Sequence, residues 1–221
     1  MKIIISDEIR QVAPAYMTLV MEADVINTPT PQPLWDEIEQ YAAQLRENVE
    51  IAQVNKRPGI ASTRVAYKAL GKDPNRYRPS TEAMSRRLVK GMELYRIDAL
   101  VDLVNLLSLL SGYSIGGFDR DKISGDTLTL GVGEEGEPYQ AIGRGELNIA
   151  CLPVFRDNVG GVGTPTSDNE RTKMDLLTKR IVITIHIFRE DMPLEQTEAL
   201  ARRLLTTYAS ATNISTQLIK A

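Results

Sequence analysis

This 221-residue chain has very little cysteine and histidine, the side chains on which many catalytic and metal sites depend. It contains one cysteine, Cys151, and one histidine, His186. A single cysteine excludes an internal disulfide and indicates a reducing compartment. One cysteine and one histidine cannot form a zinc cluster, and no Cys–His or Ser–His pair for nucleophilic catalysis is visible. We therefore expect neither a metal nor another cofactor.

Long apolar runs are missing as well. The longest apolar stretch, Ala99 to Leu110, is interrupted by three polar residues and is too short to span a bilayer. The first eight residues contain one lysine and three isoleucines before acidic residues begin, which is too little for the core of a signal peptide. The sequence therefore predicts a cytoplasmic protein that has no membrane partner.

Positive charge is scarce overall but concentrated in one segment. The net charge is −3, which argues against a general nucleic-acid coat. Residues 64–90, however, hold eight basic and two acidic residues, a local balance of +6. Ordinary solvated helix faces and a phosphate-contacting stripe both explain this pattern. The candidate RNA-binding residues of the stripe are Arg76, Arg78, Arg86, Arg87 and Lys90.

The periodicity of apolar residues predicts helices on both sides of a run of strands. Helices are predicted over residues 34–49, 60–70, 80–90, 98–111 and 193–208. Strands are predicted over residues 1–5, 15–22, 113–118, 127–132, 138–142, 147–155 and 180–188. Helices segregated early and late around strands indicate an α+β fold.

The helix over residues 98–111 is the most informative element. Asp98 is placed to cap its start, and Gly112 to end it. Because apolar residues cover nearly all of its sides, we expect it to be buried. Asp102, Asn105 and Ser108 form one polar stripe along it. Buried polar groups need partners, so the stripe faces either backbone groups or a pocket.

Three further features are interpreted mainly as structural. On the strand 181–187, four isoleucines share one face, and Thr184 and His186 share the other, which favours a structural histidine over a catalytic one. Cys151 is predicted to lie in a strand of the core. The glycine-rich segment Gly160–Asp168 has the composition of an anion-binding turn but matches no nucleotide fingerprint, so a flexible surface loop is the alternative.

Several motifs, taken in order, resemble the B3/B4 domain of the phenylalanyl-tRNA synthetase β-subunit. Residues 78–87, RPSTEAMSRR, are similar to the opening RPSSEALLRR of free-standing B3/B4 proteins. VDLVN at 101–105, followed by GYSIGGFDRDKI at 112–123, resembles the synthetase pattern VDVTNYV…GQPLHAFDLDKL. Gly136-Glu137 and the segment 157–161 resemble the family's GE turn and its aspartate-plus-glycine loop. The resemblance covers about residues 77–188.

The resemblance implies a fold and a division of the chain. It implies a mixed or antiparallel sheet, or a barrel-like core, with a buried central helix and flanking helices. Residues 71–221 then form the B3/B4-like domain. Residues 1–70 are expected to be an extension of strands and two helices that packs on this core.

The resemblance also implies a function and a site. In the synthetase, this domain binds misacylated tRNA and hydrolyses tyrosine wrongly attached to the phenylalanine tRNA. The implied substrate-binding residues are Asn105, Gly116, Gly117, Gly160, Gly161, Gly163 and Thr184. Gly116 stands where the family has a histidine, and Thr184 stands near the position of the glutamate that reads the tyrosine hydroxyl. A site that lacks such a placed polar partner loses selectivity for the hydroxyl.

Two classes of function follow. The first is a tRNA-associated binding protein, with hydrolysis of wrongly charged tRNA in trans as its enzymatic form. The alternative is a non-enzymatic module that uses the same pocket for a free amino acid or similar small molecule, or for protein interaction. Neither the synthetase active-site domain nor its class motifs are present, so we expect no aminoacylation.

Overall fold

Six α-helices and ten β-strands make up the protein in a computed structural model that describes residues 1–221. The helices are α1 (Asp7–Val12), α2 (Gln32–Asn48), α3 (Pro58–Ala69), α4 (Ser80–Val89), α5 (Ala99–Ser111) and α6 (Leu194–Ala209). The strands are β1 (Lys2–Ile5), β2 (Met17–Asp24), β3 (Ser114–Asp119), β4 (Thr127–Val132), β5 (Gln140–Ala141), β6 (Gly145–Glu146), β7 (Pro153–Arg156), β8 (Gly161–Gly163), β9 (Arg180–Ile187) and β10 (Thr212–Lys220). No helix combines the length and apolar character needed to cross a membrane.

Two four-stranded sheets carry the fold. The first has the order β1-β4-β7-β8 and is mixed, because β1 runs parallel to β4 while β7 is antiparallel to its neighbours. The second has the order β10-β2-β9-β3 and is antiparallel. The α+β class is thus confirmed. Both sheets remain open at their edges, so the sheet alternative is observed and the barrel-like one is not.

The first 24 residues contribute strands to both sheets. β1 pairs with β4 in the first sheet, and β2 lies between β10 and β9 in the second. α2 and α3 lie outside the sheets, and α2 contacts α4 and α5. The division into an extension of residues 1–70 and a domain of residues 71–221 stays a prediction.

Helix α5 is buried, as its sequence predicts. Asp98 accepts a hydrogen bond from the Val101 N–H, and Gly112 ends the helix with a positive φ of 82°. Leu103 and Leu107 are completely buried. The helix packs against α2, α4, α6 and β3, so apolar side chains are needed on most of its sides.

Strand β9 separates two apolar cores. Its four isoleucines face α5 and α6 in the larger core, whereas Val182 faces the first sheet in the smaller one. The predicted alternation is therefore confirmed, and His186 lies on the same face as Val182.

Some local predictions were wrong. Residues 147–152 are not strand: Cys151 is a partly exposed turn residue with a φ of 64°, and only Pro153–Arg156 pair with β4. Sequence periodicity also missed β10, whose residues are largely exposed and therefore carry little apolar pattern. Gly161–Gly163, predicted as loop, forms the buried edge strand β8.

Candidate functional site

A cavity of about 970 Å³ lies between α4, α5, β3 and the segments that follow β5 and β8. The chain between α4 and α5 lines one side of its mouth with Met92, Tyr95 and Ile97, all of them exposed. Leu176 and Ile142 also line the cavity and are exposed. This volume is at the upper end of the range of ligand pockets.

The polar stripe of α5 is divided between structural partners and the cavity. Asp102 accepts hydrogen bonds from the Thr30 hydroxyl and the Ile97 N–H, and burial raises its pKa. The Ser108 hydroxyl donates to the Tyr113 carbonyl at 2.6 Å. Ser108 and Asn105 both line the cavity, but of the three stripe residues only Asn105 is partly exposed and has no hydrogen-bond partner for its side chain. The stripe therefore meets partners within the protein at Asp102 and Ser108, and its Asn105 side chain is left free for a ligand in the cavity.

Asp168 is the second polar group of the cavity wall. Its Oδ2 accepts the N–H of Gly117 at 3.0 Å. Some of its surface opens into the cavity, but the surrounding protein withdraws it from bulk water, and this burial raises the pKa of the carboxyl to about 7. In the sequence, Asp168 is only the last residue of a glycine-rich segment, and no signal there predicts a role for it.

The remaining residues of the predicted substrate site do not all reach the cavity. Gly117 lines it together with Asn105. Gly116 and Thr184 pair across β3 and β9 on the face that points to the other sheet. Thr184 is completely buried there, and its hydroxyl has no partner.

The glycines of the loop are also spread over different surroundings. A Cβ on Gly163 would lie 2.8 Å from Oδ1 of Asp168, so this glycine is next to the cavity wall. A Cβ on Gly161 would meet the ring of Tyr139 instead, and Gly160 has open space around it. Binding roles for these residues stay predictions, with Asn105 and Gly117 placed in the cavity wall.

Four of the five predicted RNA-binding residues line the cavity mouth. Arg78 and Lys90 are exposed and form no ion pair or side-chain hydrogen bond. The Arg87 guanidinium lies 4.4 Å from the ring centroid of Tyr95, and its Nε donates to the Glu93 carbonyl. Arg86 binds the buried Glu82 with its Nε at 2.7 Å.

The fifth predicted RNA-binding residue, Arg76, lies outside the cavity. A further cation, Arg144, was not predicted. Arg76 lines a neighbouring depression beside Tyr77. Arg144 is exposed at the border of both concave sites and has no ion-pair partner. It lies outside the basic segment, so only its position in the folded chain identifies it as a candidate.

His186 lies in the interior between the two sheets, away from the cavity. It is almost completely buried, and its Nδ1 is 3.0 Å from the Tyr16 hydroxyl. Burial lowers its pKa to about 3, so the imidazole is neutral at physiological pH. Two buried hydroxyls without partners, those of Thr18 and Ser114, lie on the strand positions paired with it. The structural interpretation of this histidine agrees with these surroundings.

Comparison with known proteins gives matches to a domain family and to phenylalanine–tRNA ligase beta subunits. The sequence model of the B3/4 domain family matches residues 62–210. The phenylalanine–tRNA ligase beta subunits of Bartonella quintana (strain Toulouse) and Bartonella henselae (strain ATCC 49882) are each 36% identical over 106 residues, which cover 47% of this chain. The match spans only 13% of the length of each of these curated relatives.

A solved structure is also similar. It is the crystal structure of an N-terminal fragment of the phenylalanyl-tRNA synthetase beta-subunit from Pyrococcus horikoshii. The superposition has a TM-score of 0.46 and 12% identity, and covers 100% of this chain and 54% of the other.

Proposed function

This chain belongs to the B3/4 domain family, and from that membership we propose that it is a tRNA-binding protein. The proposed ligand is the aminoacylated 3′ end of a tRNA, with the amino acid in the cavity and the phosphates at its mouth. Hydrolysis of a wrongly attached amino acid in trans is the enzymatic form of this function.

The proposal is supported by the distribution of polar groups in the cavity, which has hydrogen-bonding groups in its wall and cations at its border. Asn105 and Asp168 are in its wall and have unused hydrogen-bonding capacity. Arg78, Lys90 and Arg144 are at its exposed border and have no anionic partner in the protein. A small polar group inside and phosphates outside complement this arrangement, and an aminoacylated RNA end has both.

The site contains no visible nucleophile with an adjacent base. His186 lies between the sheets, and Cys151 is not among the residues that line the cavity. Hydrolysis in the cavity would therefore depend on a positioned water, with the Asp168 carboxyl or a group of the substrate itself as the base. This favours binding over fast catalysis.

We expect the double variant Arg78→Ala/Lys90→Ala to bind tRNA more weakly and with a smaller dependence on salt. Each phosphate contact that is lost lowers the slope of log affinity against log salt by roughly 0.7–0.9. Binding of phenylalanine tRNA, measured by fluorescence anisotropy at several salt concentrations, tests this.

The matched control is Arg46→Ala/Lys220→Ala, which removes the same charge from exposed positions that do not line the cavity. An equal loss in the control would show that net charge, and not the cavity mouth, determines binding. If the wild-type protein binds no tRNA at low salt, the proposal is wrong, and the non-enzymatic small-molecule module becomes the better hypothesis.

We expect release of tyrosine from mischarged phenylalanine tRNA to be slow, because neither His186 nor Cys151 reaches the cavity and hydrolysis there would depend on a positioned water. The measurement follows release of the labelled amino acid with and without the protein. Rapid release that disappears in Asn105→Ala would instead establish the hydrolytic function. Loss of release in Asn105→Ala is interpretable only if that variant still binds tRNA.

A further inference from the structure

Asp168 is the one acidic residue of the cavity wall whose carboxyl group neither forms an ion pair nor caps a helix. Three aspartates line the cavity. Asp98 caps α5 through the Val101 N–H, and Asp175 pairs with Lys122 at 2.5 Å. Asp168 forms no ion pair, and its single hydrogen bond is the one from Gly117 to Oδ2.

The second carboxyl oxygen of Asp168, Oδ1, has no hydrogen-bond partner in the protein. Gly163 lies directly beside Oδ1, and an alanine there would place its Cβ 2.8 Å from that oxygen and 2.5 Å from the rigid ring of Phe118. Gly117, on the other side, donates its N–H to Oδ2 and has no side chain that could cover the carboxyl group. A buried carboxylate with an open acceptor is costly for the protein unless a cation or donor binds there.

The other charged and titratable groups around the cavity leave Asp168 without a cation of its own. Lys173 pairs with Glu170, and Arg144 and the cations of α4 are at the mouth. Tyr139 lies close by, but its hydroxyl donates to the Ser167 carbonyl, and burial raises its pKa so that it stays neutral. None of these groups forms a hydrogen bond or ion pair with the Asp168 carboxyl.

We infer that Asp168 binds the α-ammonium group of the amino acid, so that the cavity selects a substrate with a free primary amine. This inference rests on the proposed function and adds the group by which the amino acid is held. An ammonium is a compact cation with several donors, and it can reach Oδ1 while Oδ2 keeps its bond to Gly117. Asn105, in the same wall, remains available to the ester or the side chain of the ligand.

The test compares three probes: phenylalanine tRNA with tyrosine attached through a 3′ amide, the same RNA after N-acetylation of the tyrosine, and the uncharged tRNA. The amide removes hydrolysis from the measurement. We expect N-acetylation to weaken binding to the wild-type protein roughly ten- to hundred-fold. This factor corresponds to the usual free energy of a hydrogen bond between charged groups. In Asp168→Asn, the RNA with a free tyrosine amine and the N-acetylated RNA are expected to bind equally.

Asp168→Asn is chosen because its amide oxygen can still accept the Gly117 N–H. A merely structural role for Asp168 would leave the discrimination between amine and N-acetyl amine intact in this variant. Unfolding supplies a second check. A carboxyl whose pKa is raised to about 7 by burial destabilises the folded state as pH rises from about 4 to about 7, so Asp168→Asn should be no less stable than wild type at pH 8.

The pH dependence of binding has an expected sign. The carboxyl must be ionised to hold an ammonium, so wild-type affinity for the free-amine probe should rise as pH increases from 6 to 7.5, relative to the N-acetyl probe. Asp168→Asn should not show this rise. The ratio of the two probes cancels pH effects on the phosphate contacts.

The outcomes separate the inference from the proposed function. If all three RNAs bind in a salt-sensitive way but N-acetylation changes nothing in the wild type, the inference is wrong and the proposed function remains. If the discrimination persists in Asp168→Asn, another group reads the amine, and the inference is wrong as well. If none of the RNAs binds, both fail.

Discussion

Replacing Glu82 with alanine is expected to lower the free energy of unfolding by about 3–5 kcal/mol. The Glu82 side chain is completely buried between two arginines, with Oε2 2.9 Å from Arg64 and Oε1 2.7 Å from Arg86. Removing the carboxylate leaves two largely buried guanidinium groups without their anion, which is why the loss exceeds that of a surface ion pair. Urea unfolding at neutral pH measures it.

Glu39→Ala is the matched control, since Glu39 is an exposed glutamate on α2 that forms no ion pair. Its effect should stay within about 0.5 kcal/mol. A loss of less than about 1 kcal/mol in Glu82→Ala would place the cluster among ordinary surface pairs.

The Glu82 cluster also affects how RNA-binding experiments are interpreted. Arg86 was predicted to contact RNA, but in the structure it is an ion-pair partner of Glu82 and donates to the Ile51 carbonyl. Arg86→Ala would therefore weaken the packing of α4, and reduced RNA binding in that variant would not identify a phosphate contact. Arg78 and Lys90, which have no partners in the protein, are the cleaner positions.

Replacing Leu107 with alanine is expected to destabilise the protein by about 2–5 kcal/mol. Leu107 is completely buried in the larger core, where α5 meets the second sheet and α6. Deleting its side chain removes apolar contacts and leaves a cavity that the surrounding helices and sheet cannot fill. The measurement is again the free energy of unfolding.

Val101→Ala on the same helix serves as the control, because Val101 is partly exposed and faces the site cavity. Truncation there creates no closed void, so its cost should be clearly smaller. Equal losses at both positions would contradict this expectation, because alanine has the highest helix propensity and the two positions differ in burial.

Sequence alone determined the elements that depend on neighbouring residues. Asp98 and Gly112 bound α5, because a cap and a left-handed turn involve only the adjacent helical turn. The isoleucine face of β9 follows from the alternation of side chains along a strand. Family motifs over about half the chain indicated the B3/4 domain, to which the chain belongs. The failed strand at residues 147–152 shows the limit, since an apolar run there is a turn around Cys151.

Tertiary structure decided which of the predicted site residues meet. Asn105 and Asp168 are 63 positions apart in the sequence, and they share a wall only because Asp168 binds the edge strand β3 beside α5. Thr184 is turned away from that wall by the register of β9 against β3, since neighbouring positions of a strand face opposite sides. Charge composition likewise could not separate Arg86 from Arg78. The difference lies in the buried Glu82, whose position depends on how α3 and α4 pack. Local interactions are encoded in adjacent residues, whereas pairing, register and charge neutralisation arise between distant ones, and those determine this site.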